Sequence, residues 1–327
     1  MGFLDIGMLS PRGNWGKTKA IMRQAVTNDS IGMEQETGIV SASSRLKGQD
    51  LVIKRMFGAS VRAILVASVF AMPAIMLPGT SADAIQMVVL LSMIAALLVF
   101  VEYSSEYPSL IEFRDAPPFN RIRFVAFFST VLLLTLIARG ATVPTSTNGM
   151  LHNLGHLIGN AMDFPFSPVR LMVLLAPDTA SLAEIDQIRI HAGFAYLISL
   201  AMLLIFVTLV RVMDWPLGHG AFNFWINLPL FDPTAGGDVL RRLKRDSHVN
   251  VALGFLLPFL IPAILKVASV YAISPTLTDP QTLIWTMSAW AFLPVSLIMR
   301  GVALMRIADL IEEKRRRAYA QAELQVV

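Results

Sequence analysis

His152 and His156 stand four residues apart in the stretch LHNLGHLIG. On a helix this spacing turns both imidazoles to one face, about one turn apart, the arrangement in which paired histidines hold a metal ion. His191 follows later in the chain, and Asp163, Glu184 and Asp186 stand between to supply a carboxylate. Against a metal role, the pair lacks the intervening glutamate of a zinc protease, and interfacial helices carry histidine because it tolerates both water and lipid; ordinary surface or hydrogen-bonded histidine is the favoured reading and metal or haem binding the alternative. His152, His156 and His191 are the candidate metal ligands.

The chain contains no cysteine, which removes thiolate metal sites, disulfides and cysteine nucleophiles together. It also has no glycine-rich phosphate loop, nucleophile elbow, paired catalytic carboxylates or nucleotide fingerprint. No cofactor is expected from its motifs, and catalysis would have to rest on the three histidines and nearby carboxylates. That points away from an enzyme.

A second set of residues bears on transport. Pro258 and Pro262 in LLPFLIPA, and Pro294 further on, interrupt apolar stretches. A proline inside a helix removes one hydrogen bond and frees a carbonyl, which can line a solute path. Lys266 lies just beyond the proline pair. With Pro258, Pro262 and Pro294 it would mark such a path. Packing for shape is the favoured reading of the prolines. Glu102, Arg139, Arg211, Lys266 and Arg300 all fall near the ends of apolar blocks, where long side chains reach the headgroup layer and act as anchors.

Two basic runs form the third set. Arg241, Arg242, Lys244 and Arg245 make one, and Lys314, Arg315, Arg316 and Arg317 the other. Near a surface of anionic lipid each cation gains about 1 kcal/mol, and the same charges suit an acidic protein partner. The segment from Tyr103 to Arg123 holds Pro108, Pro117 and Pro118 among aromatic residues. It is either a recognition surface or one half of a cap completed by residues 214 to 238.

The elements that carry these residues follow from hydropathy. Of 327 residues, 55% are hydrophobic and 15% charged, and the mean hydropathy is +0.61. A soluble domain of this length is far more polar. The apolar excess falls in blocks close to the roughly 20 residues that cross a bilayer core about 30 Å thick. The blocks predict an all-α polytopic membrane protein with six transmembrane helices, at about 61–79, 84–102, 122–142, 191–211, 250–273 and 282–305. Together they make a domain spanning 57–306. Residues 1–56 are read as a mobile tail with one short helix beginning at Ser10 and Pro11, and 307–327 as a charged helical tail. Neither a cleaved signal nor a myristoylation motif is expected at the start of the chain.

The connection 140–190 contains apolar pieces too short to cross, so it is expected to hold one or two short helices at the interface or dipping into it. The connection 211–249 opens on the aromatic stretch DWPLGHGAFNFWINLPLF, whose rings suit the headgroup layer. Of the 27 lysines and arginines, only Arg139, Arg170, Arg189 and Lys266 fall on the side of the 140–190 loop. Cations concentrate on cytoplasmic loops. The count therefore puts both termini and the 211–249 loop in the cytoplasm, the protein in a plasma (inner) membrane, and the histidines on the outer face.

The net charge of +4 is accounted for by those loops, and no basic and aromatic motif for nucleic acid accompanies it. The leading functional expectation is a non-catalytic membrane subunit, assembly factor or scaffold that contacts partners and anionic lipid through its cytoplasmic loops and tails. A channel or facilitator for a small solute, and a metal or haem protein at the outer face, are the alternatives.

Overall fold

The computed structural model describes residues 49–50, 52–142, 146–213, 215–216, 222–231, 238–271 and 276–326. The short helix expected from Ser10 and most of the 1–56 tail lie outside the described residues. Contacts divide the chain into two units, 1–58 and 59–327. In the first, the described residues are helical and include the opening turns of α1 (Val52–Met76). All other elements belong to the second.

No strand occurs among the described residues. After α1 come α2 (Ala82–Ser104), α3 (Phe119–Thr142), α4 (Ser146–Met162), α5 (Pro168–Val173), α6 (Leu182–Val212), the single turn α7 (Phe224–Asn227), α8 (Val239–Val270) and α9 (Pro280–Val326). Among the described residues, six helices, namely α1, α2, α3, α6, α8 and α9, are long and apolar enough to cross a membrane. α4 and α5 occupy the 140–190 connection as two shorter helices.

Several helices begin earlier than their apolar blocks. The described residues of α1 run from Val52, ahead of the expected span, and Val52, Ile53, Met56 and Phe57 continue its exposed apolar surface past the charged pair Lys54 and Arg55. It ends at Met76, and Gly79 makes the turn to α2 at φ +80°, where a side chain would be strained. α6 starts at Leu182, nine residues before its expected position, because Ser181 and Glu184 form a reciprocal capping box. The Ser181 hydroxyl accepts from the Glu184 N–H, and the Glu184 carboxylate accepts from the Ser181 N–H at 2.7 Å. α8 starts at Val239 behind Asp238, which accepts from the Leu240 N–H. The basic run 241–245 is therefore helical, whereas hydropathy alone predicts a loop there.

The buried residues form two clusters. One gathers Leu134 and Ile137 of α3, Met172 of α5, Ile188 of α6, and Ile284, Met287 and Trp290 of α9. The other gathers Phe113, Phe119, Phe206, Trp215, Leu243 and Met299. α9 contributes to both and is the most buried of the six long helices. α2 is at the other extreme, with only Ser92 and Glu102 buried. Its Met87, Leu90, Met93, Leu97 and Leu98 are exposed, as are Phe255, Val267 and Val270 of α8. Apolar surface this extensive is unfavourable in water at about 25 cal/mol per Å² and carries no such cost in hydrocarbon.

α8 and α9 approach closely because glycines face each other's backbone. A Cβ on Gly254 would meet the Pro294 carbonyl oxygen at 2.5 Å, and one on Gly301 would meet the Ser247 carbonyl oxygen at 2.8 Å. The Ser247 hydroxyl donates to the Gly301 carbonyl at 2.7 Å. Pro262, lacking an N–H, leaves the carbonyl four residues earlier without its helical donor. That carbonyl belongs to Pro258, and the Trp290 indole N–H donates to it at 3.0 Å.

Candidate functional site

α4 and α6 also pack through small residues. A Cβ on Gly193 would stand 2.8 Å from the Gly159 Cα, and one on Gly155 would stand 2.6 Å from the Ile190 Cγ2. This close approach brings the histidine face of α4 against the first turns of α6.

His156 Nε2 lies 3.0 Å from His152 Nε2 and 3.1 Å from Asp186 Oδ2. A ligand atom of each of the three residues lies within 4.8 Å of the other two. The group is half-buried: the His156 side chain is 40% exposed and that of Asp186 20%, so solvent reaches it. The helical spacing of the two histidines does what the sequence predicts. The third candidate does not join them. His191 is fully buried in α6, with Nδ1 2.7 Å from the Gln187 carbonyl oxygen, and lies outside the cluster. Five residues apart on one helix, Asp186 and His191 are turned about 140° from each other, so only one can face α4.

Arginines support the carboxylate. Arg189 Nη1 lies 3.3 Å from Asp186 Oδ1, leaving Oδ2 toward the histidines. Arg189 Nε reaches Asp163 Oδ2 at 2.8 Å, and Arg170 Nε reaches Asp163 Oδ1 at the same distance. Asp163 is thus a supporting group and Glu184 a helix cap, although the sequence offers both as ligands. The supporting part played by Arg170 and Arg189 has no signal in the sequence beyond their charge.

At the other end of the bundle, two of the residues expected to anchor at headgroups, Glu102 and Arg300, are bound within the protein. Arg211 and Lys266 are exposed. The Glu102 carboxylate accepts from the N–H groups of Ser109 at 3.0 Å, Leu110 at 3.1 Å and Ile111 at 3.2 Å, and from the Ser109 hydroxyl. Arg114 donates to the carbonyls of Glu102, Ser105 and Glu106. Arg300 holds Glu112 in a two-pronged pair at 2.5 and 2.7 Å. These bonds fix the loop between α2 and α3, which then meets the α6–α8 connection. The Phe113 N–H donates to the Asn227 carbonyl at 2.7 Å, and the Trp215 indole N–H to the Ala116 carbonyl at 3.2 Å. The two segments therefore form a cap, the second of the two expectations for them.

No protein-family model, curated protein or solved structure matches the chain. Its chemistry rests on its own geometry.

Beyond the cap, α8 and α9 pair through charges. Lys244 Nζ lies 2.6 Å from Glu312 Oε2, and Arg315 Nη1 lies 3.0 Å from Asp238 Oδ1. That hydrogen bond from Arg315, with the Leu240 N–H, holds the Asp238 carboxyl below its usual range. Arg242 lies over the Phe231 ring at 4.7 Å. Arg241, Arg245, Lys314, Arg316 and Arg317 are exposed. Of the residues read as a transport path, Pro258, Pro262 and Pro294 are buried, the last beside Gly254 of α8, while Lys266 is exposed.

Proposed function

We propose that the protein is a non-catalytic component of a plasma (inner) membrane, spanning it six times with both termini in the cytoplasm, and that it works as a docking platform for an acidic protein partner. One observation carries this reading. α8 and α9 outrun the bilayer as a pair: at 1.5 Å per residue, 32 and 47 residues make helices of about 48 and 70 Å, against a hydrocarbon core of about 30 Å. The surplus is the end held together by the Lys244–Glu312 and Arg315–Asp238 pairs, and it presents Arg241, Arg245, Lys314, Arg316 and Arg317 outward. Anionic headgroups lie beside the base of this projection and an acidic protein surface suits its length.

The cap supports the same reading. Glu102 at the end of α2 and Arg300 within α9 are used to fix loops, which makes a rigid base for the projection. The positive-inside bias supports the orientation.

Because the chain has no cysteine, single substitutions test the topology. Ala318→Cys should react with an impermeant maleimide only from the cytoplasmic face, and Thr179→Cys only from the outer face. Reaction of both from one face ends the topological part of the proposal. For the partner, photo-crosslinkers at Arg241 and Arg316 in native membranes should give one discrete adduct. Raised salt and the double charge reversal Lys314→Glu with Arg316→Glu should abolish it. A chain that gives no adduct, and that instead moves a small solute when purified into liposomes, is a transporter and not a platform.

A further inference from the structure

We propose that His152, His156 and Asp186 form a binding site for a divalent transition metal ion of the zinc class. The inference stands apart from the docking role and survives its failure.

An imidazole nitrogen has one in-plane position, occupied either by a proton or by a lone pair. His156 Nε2 has two close neighbours, His152 Nε2 at 3.0 Å and Asp186 Oδ2 at 3.1 Å. If its proton points at Asp186, the other histidine is left without a bond from it. If its lone pair accepts from His152, it faces an oxygen lone pair instead. No assignment of protons gives both contacts a linear hydrogen bond, and one proton could only be shared between them, whereas a cation between the three atoms meets a lone pair of each.

The distances fit as well. Two ligand atoms about 2.05 Å from a tetrahedral ion are roughly 3.3 Å apart, close to the 3.0 and 3.1 Å that separate His156 Nε2 from His152 Nε2 and Asp186 Oδ2. Two imidazoles and one carboxylate form a borderline-soft donor set, which suits zinc, cobalt, nickel or copper better than magnesium or calcium. The fourth position opens toward solvent, since the His156 side chain is 40% exposed.

The surroundings have the form of a supported site. Arg189 holds Asp186 Oδ1 and turns Oδ2 inward, and Asp163 in turn holds Arg189. Gly155, Gly159 and Gly193 set the helix separation that lets histidines on α4 reach a carboxylate on α6. With two arginines balancing two carboxylates, the attraction for a dication comes from the ligands themselves, so affinity is expected in the micromolar range. A bound ion would tie α4 to α6 across the sequence gap between them.

The test uses the full chain in detergent, carrying an affinity tag without histidine and stripped with a chelator. Calorimetric titration with Zn2+ should show one ion per chain. His156→Gln and Asp186→Asn should each weaken binding at least about tenfold, the loss that even outer partners of a metal ligand produce. His248→Gln, at an exposed histidine of α8, should leave it unchanged. A wild-type chain that binds no Zn2+ below millimolar concentration overturns the proposal, as do ligand variants that bind like wild type. Should those variants fail to fold, Cu2+ on the wild type decides. Spin-echo modulation from two imidazoles is expected, and from fewer than two is contrary.

Discussion

Trp290 on α9 replaces a hydrogen bond that Pro262 removes from α8. The proline strips the Pro258 carbonyl of its helical donor, and the indole N–H takes that place. Trp290→Phe should therefore destabilise the protein by about 1–2 kcal/mol, the cost of an unmet buried acceptor. In the Pro262→Ala background the restored N–H serves that carbonyl, and the cost should shrink. Thermal unfolding of the four proteins in detergent gives the coupling; an additive cycle contradicts the account. Asp238 supports a second expectation. Its carboxyl is held low by Arg315 and the Leu240 N–H, so its contribution is full at neutral pH and is lost as pH falls through the acidic carboxylate range. Asp238→Asn should flatten the acid limb of the stability profile, and a profile identical to wild type would show the contact to be idle. At this scale the His152 and His156 pair is legible in the sequence because helical spacing alone fixes their shared face. Asp186 is one choice among three carboxylates. What singles it out is the capping box at Ser181 and Glu184, which starts α6 early and so places Asp186 on the same helix as His191, about 140° from it.

Helices in this protein meet where side chains are missing. Gly193 lies against the Gly159 backbone, whereas a methyl group added at Gly149, near the start of α4, would have nothing within 4 Å. The two should respond oppositely to that one group. Gly193→Ala is expected to cost about 1–3 kcal/mol by forcing α4 and α6 apart. Gly149→Ala should gain about 0.5–1 kcal/mol through helix propensity. Unfolding temperatures that move together would contradict this packing. The apolar blocks reveal which segments are long helices, since hydropathy reports the middle of a span directly. It does not report ends that continue on polar residues, so the first turns of α6 and α8 are legible only through their caps, Ser181 and Asp238. The loop between α2 and α3 is harder still. Its fold depends on a carboxylate at Glu102 meeting backbone N–H groups seven to nine residues on, and no periodicity announces that.

Over the whole molecule, the core is divided between two ends and much of the flank is oil-like. Substitution should separate these zones sharply. Ile284→Ala and Met287→Ala in the fully buried face of α9 should each cost about 2–5 kcal/mol. Leu97→Ala and Leu98→Ala on exposed α2 should change stability by no more than about 0.5 kcal/mol in a bilayer, where lipid replaces the lost surface. Equal losses at both places would mean that α2 is covered by protein. That the chain is helical and carries six long apolar helices is plain from composition and block length. How its loops lock together is not, because the contacts join residues about a hundred positions apart, such as Trp215 and Ala116. α9 has a mechanical consequence. It is one unbroken helix from Pro280, beside the histidine end, to Val326 in the projecting tail. Over a rod of about 70 Å, a tilt of about 5° sweeps the far tip through roughly 6 Å. With the bundle spanning a bilayer as proposed, a small event at one face would be read on the other as a change in where the tip points.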